Sequence, residues 1–258
     1  MGIEINFEGK VALITGASSG IGEALAIECA RRGMHLGLVA RREEHLQRLA
    51  ERLRPSGVQI ETAILDVNDT DQVSPILSGL ADLLGGVDIV IANAGILKSR
   101  KVGDGRVYRD QEVFATNVIG AIATSEAAIT LFRLQGRGGQ FAVTSSYSAF
   151  LPLPMAAAYS ASKAAVTSYF NAIRAPLLRE NIRVTVLHPS FVKTDMLDGF
   201  ETRGLPIVAR ADEMATAMMD AIAREHHNPI LPKQPWGTFY QAQKLMPNWL
   251  ILELQKRM

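Results

Sequence analysis

Tyr159 and Lys163 stand four positions apart in the run Tyr159-Ser160-Ala161-Ser162-Lys163, with Ser146 thirteen positions upstream of the tyrosine. On a helix, residues i and i+4 project from one face about one turn apart. A phenol there sits over an ammonium. A free tyrosine, with a pKa near ~10, is a poor base at neutral pH. A neighbouring positive charge favours the phenolate and pulls that pKa down. A nearby hydroxyl, here Ser146, can hold a substrate oxygen. The trio could therefore move a proton beside a hydride donor. The pair alone equally describes an amphipathic helix with a packed ring and a solvated ammonium, so the surrounding elements decide.

Those elements alternate. Val11-Ala12-Leu13-Ile14 is a short, continuous apolar run of the kind expected for a strand buried on both faces. A glycine-rich turn and a helix from about Ile21 to Arg32 follow, and Gly33 ends that helix in the favoured way. Further strands are expected at 36–40, 59–65, 88–92, 140–144 and 183–187, with a short seventh at 229–231. Helices are expected at 42–53, 69–84, 112–135, 155–180 and 211–225. Pro176 falls inside one of them, which predicts a kink or an earlier end. Strand and helix in alternation imply an α/β chain: one Rossmann-type, doubly wound parallel sheet of about seven strands, with helices on both faces. No linker divides the 258 residues, so one domain spanning 1–258 is expected.

The first turn reads Thr15-Gly16-Ala17-Ser18-Ser19-Gly20-Ile21-Gly22, after a strand and at the start of a helix. Gly16 allows the tight turn, Gly20 a close backbone approach to a pyrophosphate, and Gly22 close packing of helix on strand. The helix N-terminus adds free N–H groups and the positive end of a dipole. With Asn93-Ala94-Gly95, Asn117, Ser146, Tyr159 and Lys163 following in order, the chain resembles the short-chain dehydrogenase/reductase superfamily in its short single-domain branch.

That resemblance implies a reaction. Tyr159 would be the general acid in reduction and the general base in oxidation. Lys163 would lower the phenol pKa and bind the nicotinamide ribose, and Ser146 would hydrogen-bond the substrate oxygen. Asn117 would hold a water linking Lys163 to solvent. Ser18, Ser19 and Ile21 would line the dinucleotide with the glycines. Asp66 and Val67 would flank the adenine, and Asn93, Ala94 and Gly95 the ribose. His188-Pro189-Ser190-Phe191-Val192-Lys193-Thr194 is similar to the family's nicotinamide segment, keeping Pro189, Val192 and Thr194 but with His for Asn and Ser for Gly. Ser190 puts in doubt any backbone geometry that only glycine permits. Ser145 adjoins Ser146, but the thirteen-residue spacing favours Ser146.

The end of the second strand reads Val39-Ala40-Arg41-Arg42, without an acid to bind a ribose 2′-hydroxyl. Arg41, joined by Arg42, could clamp a 2′-phosphate in planar, bidentate geometry, with Ser18 adding a hydroxyl. NADP(H) is therefore favoured over NAD(H).

Composition excludes other classes. Lys plus Arg is 27 and Asp plus Glu 26, a net charge of +1 with no basic run, which gives no sign of nucleic-acid binding. Cys29, the only cysteine, reads as core, so no internal disulfide forms. His226-His227 lacks further ligands, so no metal is expected. Met1 to Lys10 is polar without a signal-peptide region, and no apolar run is expected to reach a membrane span. A cytoplasmic homodimer or homotetramer is the expectation.

The substrate is less legible. Tyr147, Phe150, Leu151, Leu153 and Met155, with Met196, Leu197, Phe200, Leu205 and Ile207, suggest apolar pocket walls and a lipophilic ketone or alcohol. Residues from about 195 to 212 would form a lid. The aromatic-rich segment 232–258 would pack on that lid or at an interface, and its pattern is also compatible with peripheral contact to a membrane surface. Three rival readings are a catalytically silent dinucleotide-binding redox sensor, an NAD-preferring alcohol dehydrogenase of the same fold, and a nucleotide-sugar epimerase. The intact Ser146, Tyr159 and Lys163 oppose the first. The chain lacks the length for the larger C-terminal substrate domain of the last.

Overall fold

The computed structural model describes residues 5–197 and 208–256. In chain order the elements are β1 (Val11–Thr15), α1 (Gly20–Arg31), β2 (His35–Ala40), α2 (Glu43–Leu53), β3 (Ile60–Ile64), α3 (Thr70–Leu83), β4 (Ile89–Ala92), α4 (Val107–Phe114), α5 (Gly120–Gln135), β5 (Gly139–Thr144), α6 (Ala157–Leu178), β6 (Ile182–Pro189), α7 (Ala211–Ala223), β7 (Ile230–Leu231), α8 (Thr238–Gln243) and α9 (Asn248–Lys256). The strands form one parallel sheet in the order β3-β2-β1-β4-β5-β6-β7. The chain winds outward in one direction from β1 and then returns to wind in the other. This leaves a crevice at the carboxyl ends of β1 and β4, where an open α/β sheet binds its ligand.

Two cores explain why the strands read as unbroken apolar runs. Ala12 and Ile14 of β1 point into a core with Leu36, Leu38 and Ile91, covered by Cys29 of α1 and Met214, Met218 and Met219 of α7. Val11 and Leu13 point the other way, into a core with Val90, Phe141, Leu77, Phe132 and Phe170, supplied by α3, α5 and α6. With both faces covered, alternation has no solvent side to report. Cys29 is wholly buried, and burial pushes its thiol up to about 12, which makes it an inert core residue.

Three expectations need correction. The helix expected over 112–135 starts earlier, at Val107, and is interrupted by a π-helical turn, Ala115–Ile119, between α4 and α5. Hydrophobic periodicity does not resolve one extra residue in a turn. The run 107–135 also contains a window apolar and long enough to cross a membrane, contrary to the sequence reading. More than half of that window is buried inside the fold, where α5 packs on α3, β4 and β5. Pro176 lies in the last turn of α6, which ends at Leu178 rather than Glu180.

Candidate active site

The glycine turn is shaped by contacts that only hydrogen atoms allow. Gly16 has φ +69°, and a Cβ there would lie 2.8 Å from Ala94 Cα. A Cβ on Gly22 would lie 2.1 Å from the Gly16 carbonyl oxygen. Thr15 Oγ1 accepts from the backbone N–H groups of Asn93 and Ala94 at 3.1 and 3.2 Å. Asn93 donates to the carbonyls of Thr15 and Gly16, both at 3.4 Å, and accepts from Thr144 Oγ1 at 3.2 Å. The ends of β1, β4 and β5 are thus tied together beneath the turn. Thr194 approaches the turn from the opposite side, its Cγ2 3.2 Å from where a Gly20 Cβ would stand.

At the far end of the same cavity, Arg42 rather than Arg41 meets the turn. Its Nε and Nη2 donate to Ser18 Oγ at 3.2 and 3.0 Å, and Nη2 donates to Ser19 Oγ at 2.6 Å. Arg41 pairs with Asp66 at 3.5 Å on the cavity rim. Asp66 also accepts from the Asn68 N–H at 3.0 Å, and Val67 lines the wall beside it.

At the other end, α6 presents Tyr159 and Lys163 to the cavity. Lys163 Nζ lies 5.6 Å from the Tyr159 ring centre and donates to the Thr144 carbonyl at 2.7 Å. Ser146 lines the cavity with Tyr159 and favours the charged form of its phenol, and Ser146 Oγ accepts from the Ser148 N–H at 3.1 Å. Ser145 does different work. Its hydroxyl donates to the Lys163 carbonyl at 2.9 Å and meets Thr167 Oγ1 at 2.8 Å, so it fastens β5 to α6.

Burial governs the titrating groups here. It lowers the Lys163 ammonium to about 8. It also pushes the Tyr159 phenol up, opposed by Ser146. Burial thus penalises the charged form of both groups, and it, not the cation four residues along, sets the direction of the Tyr159 shift.

The side chain of Asn117 is held by the protein itself. Its Oδ1 accepts from the Ile96 N–H at 2.8 Å, and its Nδ2 donates to the Ile96 carbonyl at 2.9 Å and to Ser162 Oγ at 3.0 Å. Both amide protons are used. The side chain staples the loop after Asn93-Ala94-Gly95 to the residue preceding Lys163. The π-helical turn is what presents it there.

The family model for short chain dehydrogenase matches residues 10–203. The chain belongs to the short-chain dehydrogenase family. An uncharacterized oxidoreductase of Mycobacterium tuberculosis is 34% identical over 238 residues, covering 91% of this chain and 93% of that protein. An 11-beta-hydroxysteroid dehydrogenase of Arabidopsis thaliana is 36% identical over 259 residues, covering 96% of this chain and 73% of the relative. A short-chain dehydrogenase/reductase from Burkholderia phymatum, solved in complex with NAD, is 25% identical and superposes with a TM-score of 0.84, covering 97% of this chain and 96% of its own. The protein is accordingly an NAD(P)-dependent dehydrogenase/reductase.

This short-chain dehydrogenase departs from the family pattern at His188 and Ser190. His188 is fully buried, with Nε2 3.1 Å from Thr167 Oγ1 and its ring 4.8 Å from that of Phe150; burial holds its pKa down at about 4. Ser190 does not take a left-handed backbone, so the doubt attached to it disappears. Pro189, Val192, Thr194 and Met196 line the cavity, whereas Phe200, Leu205 and Ile207 lie outside the described residues. Trp236, Phe239 and Tyr240 pack on Tyr147 and Phe150, so the C-terminal segment covers the loop after Ser146. Sequence reasoning missed the Thr144 carbonyl. Its place at a strand's carboxyl end, two residues before Ser146, was the available signal.

Proposed function

We propose that the protein is an NADP(H)-dependent oxidoreductase that interconverts a carbonyl and a secondary alcohol on a lipophilic substrate. The observation that carries this is the grouping of Ser146, Tyr159 and Lys163 in the same cavity as the glycine turn and Arg42. The residues fit a dinucleotide. A turn without Cβ atoms at Gly16, Gly20 and Gly22 leaves its backbone bare at the N-terminus of α1, and a guanidinium is already held at the distal corner.

A bound nicotinamide supplies or takes the hydride at the substrate carbon. The chain does the rest. Ser146 donates its hydroxyl proton to the substrate oxygen, a bond that strengthens as that oxygen gains negative charge. Tyr159 gives its phenolic proton to the oxygen in reduction and takes it back in oxidation. Lys163, anchored on the Thr144 carbonyl, places positive charge beside the phenolate left behind. Asn117 braces the turn from Tyr159 to Lys163 through Ser162, whose hydroxyl donates to the Tyr159 carbonyl.

The preference for NADP(H) rests on Arg42 being pre-set by Ser18 and Ser19, with Arg41 beside it. The lipophilic substrate rests on Ile96, Leu97, Leu153, Phe191 and Met196 in the cavity wall, and it agrees with the name of the plant relative. We read residues 1–258 as one domain; most of the segment 195–212 expected as a lid, residues 198–207, lies outside the described residues.

A carbonyl-reduction screen with NADPH and NADH tests this reading on wild type and Tyr159→Phe. A long-chain methyl ketone such as decanone, a fused-ring ketone and hydroxyacetone form the panel. Tyr159→Phe is expected to lose about 10²- to 10⁴-fold in turnover. Turnover unaffected by that change sinks the mechanism, preference for NADH sinks the cofactor reading, and equal rates with hydroxyacetone sink the lipophilic substrate.

A further inference from the structure

Gln243 is a buried amide on α8, about a hundred residues from the catalytic serine in sequence, yet both ends of its side chain are spent on the loop beside that serine. Its Oε1 accepts from Tyr147 Oη at 2.6 Å, and its Nε2 donates to the Phe150 carbonyl at 2.7 Å. It is only 7% exposed. A buried amide is costly unless both ends are satisfied, so this one specifies a position in a way that apolar packing does not.

The two bonds span the turn Tyr147–Ala149. That turn orients Ser146: the Ser148 N–H donates to Ser146 Oγ, which directs the serine's own proton outward, toward Tyr159 and the substrate. The ring of Tyr147 is 5.0 Å from that of Trp236 and 6.2 Å from Phe239, so aromatic packing and the amide hold the same loop.

We infer that Gln243 is a positioning residue for the reaction, clamping the Tyr147–Phe150 loop so that the Ser146 hydroxyl points at the substrate oxygen. The C-terminal segment is thus part of the machinery that aims the serine. This rests on the reading of Ser146 given above.

The test uses the full chain, NADPH and decanone. Gln243→Leu removes both bonds while keeping most of the volume. It is expected to lower kcat about ten- to a hundredfold with KM for NADPH unchanged, because the turn moves and the dinucleotide cradle does not. Gln243→Glu keeps the acceptor for Tyr147 and is expected to restore part of the loss. Tyr147→Phe, which deletes one hydroxyl, is expected to lose less than Gln243→Leu and serves if that variant does not fold. On a Ser146→Ala background, Gln243→Leu is expected to cost nothing further. Amide exchange over residues 146–151 is expected to quicken in Gln243→Leu, with exchange in the glycine turn unaltered.

Unaltered exchange at 146–151, or losses from Gln243→Leu and Ser146→Ala that multiply, would overturn the positioning role and leave Ser146 in place. Ser146→Ala without effect on turnover would instead overturn the reading of Ser146 itself.

Discussion

Lys163 Nζ is 2.7 Å from the Thr144 carbonyl and 5.6 Å from the centre of the Tyr159 ring, so one ammonium joins the end of β5 to the reactive phenol. The joint is dry, and dryness has a thermodynamic consequence that can be measured.

Lys163 is expected to contribute stability to the chain without added dinucleotide as pH rises from about 8 toward 10.5, a gain read as the difference between wild type and Lys163→Met. Below about 8, the folded state carries a desolvated ammonium. Between about 8 and the ordinary value of 10.5, the unfolded chain still binds a proton that the folded chain has released, so stability climbs with pH. Cys29 above its ordinary value of 9.0, and Tyr147, Tyr159 and Tyr169 above 10.0, are raised by burial and work the other way, in both proteins alike. Lys163→Met should raise the melting temperature near neutral pH by a few degrees and flatten the climb. Parallel melting curves for the two proteins across that range would contradict this.

The two adjacent serines should separate by phenotype. Ser145→Ala removes the bonds to the Lys163 carbonyl and Thr167, which keep their bond to each other, at a cost of about 0.5–1.5 kcal/mol in stability and little in KM. Ser146→Ala should leave the melting temperature near wild type and lower kcat about a hundredfold. Thermal denaturation and steady-state rates on both variants check this, and exchanged phenotypes would reassign the substrate serine.

Arg42 should matter more than Arg41 for the cofactor. Arg42→Ala is expected to lower kcat/KM for NADPH about ten- to a hundredfold and to spare NADH. Arg41→Ala should have the smaller effect, because its pair with Asp66 is exposed and long. Equal losses with both cofactors would mean that Arg42 only braces the turn.

Gly22→Ala should abolish dinucleotide binding or prevent folding, since the added methyl would fall 2.1 Å from the Gly16 carbonyl. Fluorescence titration with NADPH and a melting curve distinguish the two outcomes, and near-wild-type behaviour in both would refute the steric argument.

Much of the chain could be read from its sequence because its determinants are local. Val11-Ala12-Leu13-Ile14, the glycine turn and the spacing of Tyr159 from Lys163 each state a backbone geometry within a few residues. The parallel, doubly wound sheet followed from the alternation of strand and helix, since parallel strands need crossovers of one hand.

Other features depended on segments far apart meeting in space. The π-helical turn that aims Asn117 differs from an ordinary helix by one residue of register, which periodicity averages away. Arg42 outranks Arg41 at the turn because Ser18 and Ser19 lie across from it. The phenol pKa rises rather than falls because desolvation depends on everything packed around Tyr159, not on the cation four residues along. Gln243 gained its place only when α8 folded back over Tyr147. Spacing along the chain determined which groups could do chemistry; burial and long-range hydrogen bonds, which spacing does not encode, decided how each is aimed and charged.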